Sequence, residues 1–314
     1  MGGLDAILRT IFYSMPEPPD AHPTQILLDD RYRIAEKIGE GGMGFVYRAH
    51  DVMTGERVAI KILRDALSED PVSIARIRHE AGIGSRLKHP NICHIIRLGE
   101  VGGAIFLVMP LLEGDSLWDR TAAGQPLPLD VTVRIIGDIG AGLHQVHELG
   151  VVHRDLKPEN IILVAESDGS ERAVLLDFGL ATGHAAAAPR QRLTRTGMVV
   201  GTQEFMSPEQ MSGKPLDRRS DIYALALMAY EMLTGEFPFR GNNLRELALA
   251  RLKGELVAIR SRRPDLPPAV DAVLAKALAV DVNARYATTL EFAEAFAGAA
   301  EAPTGGLLKR LLGR

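Results

Sequence analysis

The segment HRDLKPEN, residues 153–160, brings a carboxylate, a cation and an amide close together between two apolar stretches. The groups concerned are Asp155, Lys157 and Asn160. Unpaired charge is costly to remove from water, so these side chains would be a wasteful way to stabilise a fold. The segment is therefore a candidate catalytic loop, and the rest of the chain must supply partners for its charged groups.

A second candidate is the glycine-rich stretch GEGGMGFV, which carries Gly39, Gly41 and Gly44 between two predicted strands. Glycine lets a backbone approach phosphate oxygens closely because no Cβ intervenes. No helix follows, which argues against a dinucleotide-binding βαβ unit. In the next predicted strand, alternation places Ala59 and Lys61 on one face, which suits a flat base beside a phosphate. The alternatives are an ordinary glycine-rich hairpin and a solvated strand lysine.

The elements that must position these residues change in type along the chain. Strand patterns dominate from about residue 31, interrupted by one helical pattern over 69–88. Beyond residue 112 long helical patterns take over, at 129–150 and 220–236. The predicted division is an amphipathic N-terminal segment with a proline-rich linker (1–30), a strand-rich lobe (31–112), a mainly helical lobe (113–298) and a flexible tail (299–314).

Composition excludes several classes of protein. The chain has 314 residues and a formal net charge of -4, so no overall basicity points to nucleic acid. It has no apolar run long enough for a membrane span and no signal-peptide pattern, which predicts a cytoplasmic protein without a transmembrane segment. Its single cysteine, Cys93, cannot form an internal disulfide and is interpreted as a small buried apolar residue.

Five motifs occur in order along the chain: Gly39-x-Gly41-x-x-Gly44-x-Val46, Val58-Ala59-Ile60-Lys61, the HRDLKPEN loop, Asp177-Phe178-Gly179 and Ser207-Pro208-Glu209. This set resembles a eukaryotic-type (Hanks-type) Ser/Thr protein kinase of the bacterial branch, over about residues 31–298. The resemblance implies an α+β fold, the two-lobe protein-kinase fold. It has a small antiparallel β-sheet lobe with one helix and a larger, mainly helical lobe.

The resemblance also implies roles for single residues. Asp155 would orient the substrate hydroxyl and Lys157 would neutralise charge on the transferring phosphoryl group. Asn160 and Asp177 would hold Mg²⁺, with Mn²⁺ as a substitute. The ATP-binding residues would be Gly39, Gly41, Gly44, Val46, Ala59, Lys61, Glu80, Met109, Pro110, Leu112 and Ile162. Within this set Glu80 would pair with Lys61, and Val46, Ala59 and Ile162 would sandwich the base.

Regulatory and structural roles follow from the same resemblance. Arg154 would bind a phosphorylated residue of the segment 177–209, for which Thr194 and Thr196 are the expected autophosphorylation sites. Thr202 would tether the segment that supports the peptide substrate to Asp155 and Lys157 of the catalytic loop. Three further residues have structural roles: Glu209 and Arg285 as a buried ion pair, and Asp221 as a brace for the catalytic loop. The partners expected are proteins with Ser or Thr acceptors, together with a transient homodimer for autophosphorylation in trans.

Two glycines depart from the family pattern and leave alternatives open. Gly82 and Gly84 follow Glu80, and each costs a helix about 1 kcal/mol relative to alanine. We therefore expect a loosely held helix whose Lys61–Glu80 pair forms only on activation or nucleotide binding.

Two other functions compete with the protein kinase interpretation: a nucleotide-binding pseudokinase or scaffold, and a small-molecule phosphotransferase of related fold.

Overall fold

The computed structural model describes residues 26–41, 44–64, 71–176 and 204–303, without the side chains of 71–73, 76, 80 and 244. The predicted N-terminal helix and linker, and the end of the tail from residue 304, lie outside these residues. The chain forms two compact units. The first comprises the chain up to Lys88 together with Cys93–Leu112, and the second comprises His89–Ile92 and the chain from Glu113 onward.

The first unit is built on a six-stranded antiparallel sheet in the order β1-β2-β3-β4-β6-β5. The continuous apolar runs of β4 and β6 explain their inner positions, because both are buried over nearly their whole length. The strands are β1 (Leu27–Leu28), β2 (Tyr32–Gly41), β3 (Gly44–Asp51), β4 (Arg57–Leu63), β5 (Arg97–Val101) and β6 (Ala104–Pro110).

One helix of this unit, α1 (Pro71–Gly84), packs Ile77 against Leu63 of β4 and Ile105 of β6. It begins at a proline, which suits the first helical position because that position needs no N–H donor. It ends at Gly84, earlier than the 69–88 pattern predicts, because glycine is a poor helix former.

The second unit is mainly helical and surrounds α5, whose residues are buried on nearly every side. The α5 helix begins after the cap Asp217 and ends at Gly235, which adopts a left-handed conformation (φ 71°) that favours glycine. The helices are α2 (Leu117–Thr121), α3 (Leu129–Glu148), α4 (Pro208–Met211), α5 (Arg218–Thr234), α6 (Leu244–Lys253), α7 (Pro268–Ala277) and α8 (Thr289–Ala300). With the sheet unit, this arrangement confirms the α+β class.

A three-stranded antiparallel sheet in the second unit was not predicted from the sequence. It consists of β7 (Gly114–Ser116), β8 (Ile161–Ala165) and β9 (Glu171–Leu175). The segment 89–92 joins this sheet through Asn91, whose Nδ2 donates to Ala173 O at 2.9 Å and whose carbonyl accepts from Leu175 N at 2.9 Å. These bonds explain why four residues of the strand-rich half of the chain belong to the helical unit.

Two glycines of α3 offer a matched test of helix packing. A Cβ on Gly140 would lie 2.9 Å from Ala293 Cβ of α8, whereas a Cβ on Gly137 would meet no atom of the described chain within 4 Å. Both alanine variants gain helix propensity, but only Gly140→Ala forces the helices apart. We expect Gly140→Ala to have a free energy of unfolding about 1–3 kcal/mol below that of Gly137→Ala. Urea denaturation measures this difference, and equal stabilities would contradict the packing.

Candidate active site

The predicted catalytic loop lies between α3 and β8 and is anchored by apolar residues. Gly150, just beyond α3, has φ 74°, and the turn 158–160 leads directly into β8. Leu156 is buried in the core of the second unit, and the side chain of His153 is fully buried. Leu156 and the buried ring of His153 hold the middle of the loop in place, whereas Asp155, Lys157 and Asn160 stay partly exposed.

Asp155, Lys157 and Asn160 are brought together as the sequence pattern suggests. Lys157 Nζ lies 3.1 Å from Asp155 Oδ2, and both side chains are partly exposed. Asn160 Nδ2 donates a hydrogen bond to Asp155 O at 2.8 Å, so Oδ1 is the atom of this amide that could ligate a cation. The three side chains therefore form one polar cluster that faces water.

Asp221, in the first turn of α5, accepts hydrogen bonds from two backbone N–H groups of the loop. Its Oδ2 accepts from His153 N at 2.8 Å and its Oδ1 accepts from Arg154 N at 2.9 Å. Arg154 adopts φ 67°, a strained value for a residue other than glycine. The carboxylate, which is 1% exposed, therefore holds the backbone in a conformation that it would not adopt unaided.

Glu209 and Arg285 form the buried ion pair expected from the resemblance. Two parallel hydrogen bonds of 2.7 and 2.8 Å join the guanidinium to the carboxylate, and Ser220 Oγ donates to Glu209 Oε1 at 2.7 Å. Burial raises the pKa of Glu209, but the hydrogen bonds from Arg285 and Ser220 outweigh burial and leave the pKa below its usual value. The carboxylate is therefore charged and fully partnered, which is the condition under which a buried ion pair is tolerated.

In the first unit, the glycine-rich hairpin and Lys61 belong to one region of the sheet. Gly41 pairs with Gly44 across the hairpin, and Val46 of β3 pairs with Lys61 of β4. A Cβ on Gly44 would lie 2.0 Å from Ile62 O, so no other residue fits there, whereas a Cβ on Gly41 would meet no atom of the described residues within 4 Å. Glycine at position 41 thus leaves room for a ligand to approach the backbone.

The predicted base-binding residues of this unit lie on the same sheet. Ala59, which is buried, pairs with Met109, and the side chains of Val46, Ala59 and Lys61 lie on one face because paired and alternate residues share a face. Lys61 is only 5% exposed. Pro110 ends β6, with its carbonyl 3.9 Å from Cys93 Sγ, and the partly exposed Leu112 follows.

The remaining predicted site residues lie on other elements or outside the described residues. Ile162 lies on β8 of the second unit, where it pairs with Val174. Glu80 lies on α1 but its side chain is outside the described residues. The residues Asp177, Thr194, Thr196 and Thr202 also lie outside them. Their roles stay predictions.

Two residues next to the loop were missed by sequence reasoning. His147 Nε2 lies 2.7 Å from Asp221 Oδ2, and both side chains are 1% exposed. Gln210 Nε2 donates to Arg154 O at 2.7 Å. The pattern Ser207-x-x-Gln210, a helix capping box, could have revealed the second residue, whereas nothing local distinguishes His147 from other helix histidines.

A metal ion at this site would need ligands beyond the described residues. Within residues 26–41, 44–64, 71–176 and 204–303, no three acidic, histidine or cysteine side chains cluster so as to hold one. An amide oxygen such as Asn160 Oδ1 suits a hard cation that keeps waters and phosphate oxygens in its coordination sphere. The donor set therefore fits Mg²⁺ held jointly with a nucleotide.

Glu231 of α5 carries the most strongly shifted carboxyl group near the loop. Burial, reinforced by the charges of Glu204 and Glu159, raises its pKa to about 7. Its Oε2 is buried and has no hydrogen-bond partner in the described part of the chain. At neutral pH this side chain is therefore only partly ionised.

The protein kinase domain model matches residues 32–296, which is most of the chain. The chain belongs to the protein kinase domain family. Membership of this family implies the use of ATP and a divalent metal ion.

Two relatives to which the chain is similar are bacterial proteins. The chain is 38% identical over 269 residues to the serine/threonine-protein kinase pkn3 of Myxococcus xanthus, covering 85% of this chain and 48% of that protein. It is 37% identical over 258 residues to the probable serine/threonine-protein kinase PknB of Lactococcus lactis, covering 82% of this chain and 40% of that protein. The chain thus spans less than half the length of these two relatives.

A solved structure with the same fold is the PknI kinase domain of Mycobacterium tuberculosis. The two chains superpose with a TM-score of 0.68 at 26% identity, covering 89% of this chain and all of that one. Every helix in the described part of this kinase domain is too short or too polar to cross a bilayer.

The raised pKa of Glu231 predicts a pH-dependent stability. The folded protein holds a proton on this group up to about pH 7, whereas an unfolded glutamic acid loses it near pH 4.5, so stability falls as pH rises between these values. Glu231→Gln removes the dependence. We expect the variant to exceed the wild type in free energy of unfolding by about 3 kcal/mol or less at pH 8, and by less than about 1 kcal/mol at pH 5.

Urea denaturation at the two pH values measures the effect. Exposed Glu148 at the end of α3 provides the matched control, Glu148→Gln, which makes the same substitution at the surface. An advantage of Glu231→Gln that is equal at pH 5 and pH 8 would contradict the raised pKa.

Proposed function

We propose that this chain is a protein serine/threonine kinase that transfers the γ-phosphoryl group of ATP to Ser or Thr hydroxyls of proteins. The observation that carries the proposal is the Asp155–Lys157 pair, 3.1 Å apart on a loop whose backbone Asp221 holds in a strained conformation. Strain maintained by the surrounding structure is characteristic of functional sites. The named relatives, both serine/threonine-protein kinases, support the same activity.

Two residues of the loop, Asp155 and Lys157, have direct roles in this reaction. Asp155 accepts a hydrogen bond from the acceptor hydroxyl and orients its oxygen toward the phosphorus. Lys157 supplies positive charge beside the transferring group, where negative charge spreads over the phosphoryl oxygens. Because the loop is pre-formed, little reorganisation accompanies the reaction, and positioning with electrostatics supplies most of the catalysis.

The nucleotide would be held by the remaining predicted residues. The backbone at Gly39, Gly41 and Gly44 would cover the phosphates, and Lys61 would contact the α- and β-phosphates. Asn160 and Asp177 would hold Mg²⁺, or Mn²⁺ in its place, which when bound neutralises charge on the triphosphate. Thr194 and Thr196 are the proposed autophosphorylation sites, modified in a transient homodimer.

The competing proposal is a pseudokinase that binds nucleotide and signals by conformation. It predicts thermal stabilisation by ATP with no phosphate transfer. The pairing of Lys157 with Asp155 favours the enzyme, because a scaffold has no need for a charged pair on a strained loop. A small-molecule phosphotransferase would transfer phosphate to sugars or antibiotics in preference to proteins.

Substitution of Asp155 tests the proposal. The purified chain is incubated with γ-labelled ATP and Mg²⁺, with casein as a protein acceptor, and label is counted on both proteins. We expect Asp155→Asn to lower the rate at least about 100-fold, the usual contribution of a positioned acid or base. The matched control is Asp130→Asn, an exposed aspartate of α3, which should keep the wild-type rate. A wild type that binds ATP but transfers none to either protein would contradict the proposal.

A further inference from the structure

Gln210 makes two kinds of contact at once. Its Oε1 accepts from the backbone N–H of Ser207 at 2.9 Å and from Ser207 Oγ at 3.0 Å, which caps the first turn of α4. Its Nε2 donates to the carbonyl of Arg154 at 2.7 Å, across 56 positions of sequence. The capping contacts need only an acceptor, so the contact to Arg154 is the one that requires an amide.

This contact completes a set of three bonds to successive peptide groups around Asp155. Asp221 accepts from the N–H of Arg154, Gln210 donates to the carbonyl of Arg154, and Asn160 donates to the carbonyl of Asp155. A peptide group is rigid and planar, so fixing the planes on both sides of a Cα fixes φ and ψ of that residue. The plane before Asp155 is held by Gln210 and the plane after it by Asn160.

We propose that Gln210 is a positioning residue for catalysis, which holds the Arg154–Asp155 peptide group so that the carboxylate of Asp155 points at the acceptor hydroxyl. The inference rests on the proposed kinase activity and adds to it the residue that directly follows the segment 177–209. Through this side chain, the placement of α4 sets the orientation of the catalytic carboxylate.

Beside this contact the loop and α4 enclose a small cavity. A cavity of about 10 Å³ is lined by Asp155, Lys157 and Gln210 among others, which is the space of a single water molecule. Asp221 and the core residue Leu156 border the same cavity. A shift of the Arg154–Asp155 peptide group moves Asp155 itself, and small displacements of reacting groups lower rates strongly.

The variant Gln210→Glu separates the two contacts of this side chain. Glutamate keeps the acceptor that caps α4, and it is a favoured residue at this position of a capping box. It has no N–H to donate, and it places a carboxylate oxygen against the carbonyl of Arg154. We expect kcat to fall about tenfold with KM for ATP unchanged, while the thermal midpoint stays within about 2 °C of the wild type.

Two further variants isolate the cause. Gln210→Met has similar length and no charge but loses the capping acceptor as well as the donor, so its kcat should fall at least as far as that of Gln210→Glu. Ser212→Ala removes a hydrogen bond of 2.8 Å to Pro208 O at the other end of α4, without any contact to the loop, and should leave kcat within about twofold of the wild type. Wild-type kcat in Gln210→Glu would overturn the proposal. So would a loss of thermal stability large enough to account for the lower kcat.

A crystal structure of Gln210→Glu decides the matter independently of activity. The proposal predicts that the carbonyl of Arg154 rotates and that the 3.1 Å contact between Asp155 and Lys157 is lost. An unchanged loop would overturn the positioning role. If the wild type itself transfers no phosphate, the proposed function fails, and the structure of the variant still tests whether Gln210 orients Asp155.

Discussion

The two carboxylate oxygens of Asp221 accept from two consecutive backbone N–H groups, and Oδ2 also lies within hydrogen-bond distance of His147. These contacts lie at the buried start of α5, where a carboxylate is tolerated only if its oxygens have hydrogen-bond partners. These partners are the backbone N–H groups of the predicted catalytic loop. The strained conformation of Arg154 depends on this one side chain.

The short helix α4 contributes a second constraint on the same loop. Its Glu209 is tied to Arg285 by a buried, bidentate ion pair, and its Gln210 reaches the carbonyl of Arg154. Breaking a buried ion pair costs about 3–5 kcal/mol, so α4 is fixed far more firmly than four helical residues would be alone. The loop is thus held from α5 on one side and from α4 on the other.

Long or strongly patterned elements could be predicted from the sequence. The bounds of β3 and β6 follow their β-branched and aromatic runs, and α5 covers most of the helical pattern predicted over 220–236. The strands β7 to β9 were missed because three to five residues carry too little periodicity. The contacts of Asn91 and Gln210 join residues 82 and 56 positions apart, and no local pattern encodes such a partner.

The central claim is that Asp221 maintains the shape of the catalytic loop. Amide hydrogen exchange measured by NMR in Asp221→Asn tests it most directly, since the amide side chain can no longer accept at both positions. The account predicts that exchange at His153 and Arg154 speeds up at least about tenfold, as expected for hydrogen bonds to a charged acceptor, while residues 224–233 of α5 keep their protection. Unchanged exchange at both loop amides, or an equal increase throughout α5, would contradict it.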